Sequence, residues 1–189
     1  MRYYTAGEKF TIVTSYIFAI IAVILVILVA VSPKMEDGAT RLFGYELRLV
    51  ATNSMEDNGS FDASKYEIGS FSKDTVVALH CVPSDAEEAM DWYEDVKEGD
   101  VLTVRYTYNT QVTITHRVRT VEKKEDGSGY IITLAADNSD SDAGMLYQTI
   151  DTSATDGLHY VIGKVIWKNH SVGVVIGGAQ RALAAIVKN

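Results

Sequence analysis

A single cysteine, Cys81, and only two prolines, Pro33 and Pro83, occur in 189 residues. One thiol cannot make an internal disulfide, and Cys81 has no histidine at metal-ligand spacing. Neither a disulfide framework nor a zinc site is therefore expected, and no cofactor is called for. Positive charge is also scarce. Lys and Arg number 17 against 25 Asp and Glu, a net charge of −8, and nearly all the acid lies beyond Pro33. A nucleic-acid partner wants a basic stripe, and this chain offers none. Internal repeats and low-complexity tracts are absent too. What remains after one long hydrophobic run is roughly 140 residues, enough for one domain with a real core.

That run comes first. Residues 1–10 carry Arg2, Glu8 and Lys9 and read as a short cytoplasmic tail, whereas residues 11–32 are uncharged and dominated by Ile, Val, Leu and Ala. Twenty-two residues at 1.5 Å each cover about 33 Å, which matches a bilayer core of roughly 30 Å. Only a helix satisfies its own backbone in lipid. The expectation is a single-pass transmembrane anchor ended by Pro33. A cleaved secretory signal is the alternative, with Ala30-Val31-Ser32 at cleavage-like spacing, but the apolar run exceeds the usual length. Flanking charge nearly balances across the run, so orientation (N-terminus cytoplasmic, domain outside) rests on the large acidic domain beyond it.

Residues 33–170 then read as one domain rich in short strands. Thr40–Val50, Phe71–Cys81, Val101–Tyr108, Gln111–Thr120, Tyr130–Ala136 and Tyr160–Lys168 have strand composition, with a hairpin at Asn109-Thr110. Residues 81–95 hold a short acidic helix that Ser84 would cap, with Glu87 completing a capping box. The fold class expected is mainly β, barrel-like or two antiparallel sheets, behind the anchor. In residues 171–189, Val172, Val175, Ile176, Ala179, Leu183 and Ile186 share a helical face interrupted by Gln180 and Arg181. Such a helix lies on the membrane or on the domain, with a second short span as the rival.

Two side chains carry the chemistry. A serine is a poor nucleophile until a base takes its proton, so Ser54 in Thr52-Asn53-Ser54-Met55-Glu56 is informative only together with motifs farther along the chain. In Gln111–Thr120, alternation puts Val112, Ile114, His116 and Val118 on one face and Thr113, Thr115, Arg117 and Arg119 on the other. A histidine on an apolar face is usually a core residue, yet a neutral imidazole in a half-dry site is also what a general base near pH 7 requires. His80, His159 and His170 lack such surroundings and read as surface or packing residues.

The order Ser54-Met55, Gly99-Asp100-Val101, Thr115-His116-Arg117-Val118, Asp137-Asn138 and Ile162-Gly163-Lys164-Val165 resembles signal peptidase I, in its endoplasmic-reticulum-type branch. The resemblance runs from the anchor to about His170, and it implies that residues 81–95 are an insertion in the segment between Ser54 and His116. It implies an all-β catalytic domain and a membrane-bound serine endopeptidase with Ser54 as nucleophile and His116 as general base. Thr52 falls where the family places a hydroxyl that helps bind the oxyanion, beside the Ser54 N–H. Asn53, Asp57 and Ala136 stand where the family usually has glycine, proline and glycine. The resemblance also implies an acid that orients His116, for which Asp142 and Asp137 compete, Asp142 being favoured. The implied partners are secreted preproteins with signal peptides, laid as an extended strand with small residues at the cut, and the lipid bilayer that holds both. The alternatives are a non-catalytic signal-peptidase-like module or a pilin-like anchored surface-binding one; Gly7-Glu8-Lys9-Phe10 resembles a pilin processing site only in part. A self-cleaving regulator would use lysine as base, and Lys65 and Lys73 lack that context.

Overall fold

A computed structural model describes residues 5–31, 40–59, 61–106, 112–138, 148–153 and 159–187. The turn expected at Asn109-Thr110, Pro33 and Asp142 lie outside the described residues. In chain order the elements are helix α1 (Ala6–Val31), strands β1 (Arg41–Leu42), β2 (Tyr45–Leu49) and β3 (Val76–Cys81), and helix α2 (Ala86–Glu94). Strands β4 (Val101–Tyr106), β5 (Thr113–Lys123), β6 (Tyr130–Ala135), β7 (Gln148–Asp151) and β8 (His159–Asn169) come next, and helix α3 (His170–Val187) closes the series.

The strands form one eight-stranded antiparallel sheet, in the order β1-β2-β3-β8-β4-β5-β6-β7. The mainly-β class expected from the sequence holds, but hydrogen bonding joins the strands into a single sheet rather than two. Period-two alternation explains how that sheet makes its core. Val161 and Ile162 are neighbours in β8 and point to opposite faces. Val161 joins Leu102, Val104, Val118, Ile132 and Leu134 in one apolar cluster, which Trp92 of α2 covers. Ile162 joins Val77, Leu79, Val101 and Val165 in a second. That second cluster is closed by Val50, Met55 and Phe71, all from the irregular segment that contains Ser54. The candidate nucleophile is thus carried on the lid of a core.

Local chemistry corrects several expectations. Thr40–Val50 is a hairpin, not one strand: Phe43 and Gly44 have φ of 51° and 81° and Leu42 pairs with Tyr45. Two consecutive positive φ values are what a two-residue hairpin turn of the type I′ kind demands. The cap of α2 is Asp85 rather than Ser84, its carboxylate accepting from the Glu87 and Glu88 N–H groups, and a carboxylate suits a helix N-terminus. β7 has no counterpart among the expected strands.

α1 runs for 26 residues, about 39 Å at helical rise. Its described side chains end at Ile24, and among the described residues no helix is long and apolar enough to cross a membrane. α3 turns its glycines, not its valines, toward the domain. Gly173 and Gly177 are buried, while Val172, Val174, Val175 and Ile176 are exposed. A Cβ on Gly173 would collide with the Asp74 carbonyl oxygen, so only glycine permits this approach. Arg181 then pairs with the Asp74 carboxylate at 3.0 Å.

Candidate active site

Ser54 sits in a turn whose every neighbour is tied down. Met55 is fully buried, and its carbonyl accepts from the Phe71 N–H at 2.7 Å. The Ser54 carbonyl accepts from the backbone N–H groups of Asp137 and Asn138, at 2.9 and 3.3 Å. Asn138 adds a side-chain bond from Nδ2 to the Asn53 carbonyl at 2.6 Å. The Asn53 side chain accepts from the Lys73 N–H at 2.8 Å. The asparagine is therefore a brace for the loop, using an acceptor that glycine lacks. Asp57 does similar local work, accepting from the Gly59 N–H at 2.9 Å in an Asx turn.

His116 comes from β5, whose pairing with β4 sets Leu102 opposite it. It is buried. Its Nδ1 lies 2.6 Å from Oε1 of Gln148, the first residue of β7. Burial pushes the imidazole below its ordinary pKa. The Gln148 bond and the negative charge of Asp137 act the other way, and Arg119 adds a small push down. The net result is a neutral ring at neutral pH, the state a general base needs.

Ser54 and His116 line the same groove, of about 670 Å³, together with Thr52 and Gln148. Leu47–Ala51 forms one wall and Val112–Thr115 the other, while Gln180 of α3 stands at the side. The Thr52 and Ser54 hydroxyls are 3.2 Å apart. No hydrogen bond joins Ser54 to His116; catalytic hydrogen bonds of this kind often close only around substrate.

Of the two acids that compete for His116, the favoured Asp142 lies outside the described residues, and Asp137 is engaged elsewhere. Asp137 is fully buried, but it accepts from Nε and Nη2 of Arg117, at 2.9 and 2.7 Å, and from the Ser70 hydroxyl at 2.9 Å. It does not contact the imidazole, and the Nδ1 position it would take belongs to Gln148. Arg117 lies on the face opposite His116 and Val118, as the alternation puts it, but that face is covered too. With His116 and Val118 on either side it is wholly buried, its Nη1 donating to the carbonyls of Ile68 and Gly99. Sequence reasoning missed Gln148; a lone glutamine before Thr149-Ile150 gives no sign of its partner until β6 and β7 are paired. Of the other histidines, His80 lies beside the Tyr45 and Trp92 rings at tilted angles and His170 contacts Thr75.

No protein-family model matches the chain, and no curated protein matches it significantly. Among the described residues, no cluster of three or more His, Cys, Asp or Glu could hold a metal ion.

Proposed function

We propose that this chain is a membrane-anchored serine endopeptidase of the signal-peptidase type that removes signal peptides from secreted preproteins. The observation that carries this reading is the meeting of Ser54 and a buried, neutral His116 in one groove walled by extended chain. Along that groove β5 pairs with β6 only from Arg117 onward. Among the described residues, Thr113–His116 thus keep one edge open, and an extended peptide can pair with such an edge.

In the reaction, Ser54 Oγ bonds to the scissile carbonyl carbon while His116 Nε2 takes the hydroxyl proton and the carbonyl π pair moves onto oxygen. The Ser54 N–H and the Thr52 hydroxyl face that oxyanion, an interaction worth on the order of 3 kcal/mol. Collapse expels the amine, which takes the proton from Nε2. Water, activated by the same base, then releases the acyl group. α1 acts as the anchor in the cell membrane, with the N-terminus cytoplasmic and the domain outside, so that enzyme and signal peptide meet in one plane.

A second reading, a non-catalytic anchored binding module, is favoured by the Ser54 hydroxyl meeting Thr52 rather than His116. Cleavage of a model preprotein by the full chain in detergent separates the two. Wild type should cut at the end of the signal peptide and Ser54→Ala should not. Equal processing by both would remove the proteolytic reading.

A further inference from the structure

We infer that Gln148 is the positioning residue that holds His116 in its base-competent tautomer, the place where an aspartate was expected. The catalytic meaning of that role rests on the peptidase reading, but its measurement does not. Gln148 and His116 are each only 4% exposed, so water does not compete for their 2.6 Å bond. The carboxamide oxygen can only accept, which leaves the proton on Nδ1 and the lone pair on Nε2. The opposite orientation of the amide would donate to Nδ1 and leave Nε2 protonated, unable to receive the Ser54 proton.

The support around Gln148 is a strand rather than a loop. It pairs with Leu134 of β6 in the ladder that ends at Ile131–Asp151, and the adjoining Thr149 and Ile150 are registered with Thr133 and Ile132. Asp137 is not available to replace it, since Arg117 and Ser70 occupy its carboxylate. A neutral amide orients the ring without adding charge. Among the described residues, the charged groups that act on the imidazole are Asp137, which favours its protonation, and Arg119, which opposes it. A carboxylate introduced at position 148 would therefore add a negative charge directly at Nδ1, where Gln148 presents a neutral oxygen.

The test uses the full chain in detergent micelles with 15N-labelled histidine. Ring-nitrogen shifts report which nitrogen carries the proton, and His116→Phe assigns the signal. Wild type should show Nδ1–H. Gln148→Leu should lose that preference, and the nearly isosteric Gln148→Glu should keep it and move the imidazole titration to higher pH. In preprotein cleavage, Gln148→Leu should lower kcat about 10- to 100-fold with KM little changed, less than the ~10²–10⁴ attached to a general base. Gln148→Glu should recover much of it, with the acid limb of kcat/KM displaced upward. An Nε2–H imidazole in wild type would overturn the inference, as would a tautomer and titration indifferent to both substitutions. If preprotein stays uncut by wild type, the peptidase reading fails, and the ring-nitrogen shifts alone decide the role of Gln148.

Discussion

Arg117 and Asp137 are costly to bury, because neither exposes any of its side chain to water. Desolvating two charges is offset only where geometry is good and the remaining donors are satisfied. Here Nε and Nη2 reach Asp137 and Nη1 reaches two carbonyls, with the Tyr66 ring 5.3 Å from the guanidinium. Asp137→Asn removes the charge but keeps the shape, leaving the guanidinium uncompensated. It should cost about 3–5 kcal/mol of stability in urea unfolding. Because Asp137 and Asn138 also hold the Ser54 carbonyl, preprotein processing should fall as well. His116 supplies the pH dependence. Its folded pKa lies below the ordinary value of about 6.5, so between those two pKa values the unfolded chain binds more protons. Stability should therefore fall as pH drops from about 6.5, the full loss being reached below the folded pKa. Thermal melts from pH 7.5 to 5 should show that slope, reduced in His116→Phe. Processing should fall with pH through the folded pKa in the same direction, since only the neutral ring is a base.

Among the elements, those that alternate cleanly are legible from residue order. Val101–Tyr106, Tyr130–Ala135 and His159–Asn169 fall within two residues of expectation because their β-branched runs are bounded by turn residues. β7 is four residues long, too short for a period to declare itself. The β1–β2 turn is hidden because Phe43-Gly44 lacks the Asn or Asp that usually announces it. The serine and histidine of the site can be picked out by motif. Their braces cannot, because Gln148, Ser70 and Asp137 converge through strand pairing at separations of 20 to 67 residues. α3 shows the same limit: periodicity reveals its apolar face, but glycine contact turns that face outward. Gly173→Val should dislodge α3, since the added carbons meet backbone and not a flexible side chain. Trypsin should then cut at Arg181 several-fold faster, and KM for preprotein should rise because Gln180 borders the groove.

At the level of the whole molecule, the apolar clusters of the sheet are built from strands β3 to β8 and the segments that join the strands, with no residue of α1 in either among the described residues. A chain starting at residue 33 should accordingly keep its thermal transition within a few degrees. It should cleave a soluble signal-peptide fragment normally but process preprotein embedded in vesicles poorly, for want of a shared plane. Loss of both activities, or of neither, would count against α1 as an anchor. The turn at Asp74 ties the groove to the end of the chain. Its N–H donates to the Val50 carbonyl at 2.9 Å, its carbonyl sits beneath Gly173, and its carboxylate holds Arg181. Val50 is itself part of the groove wall, four residues before Ser54. Asp74 is thus a shared anchorage: the helix whose valines face outward and the wall against which a bound peptide would lie hang from one residue.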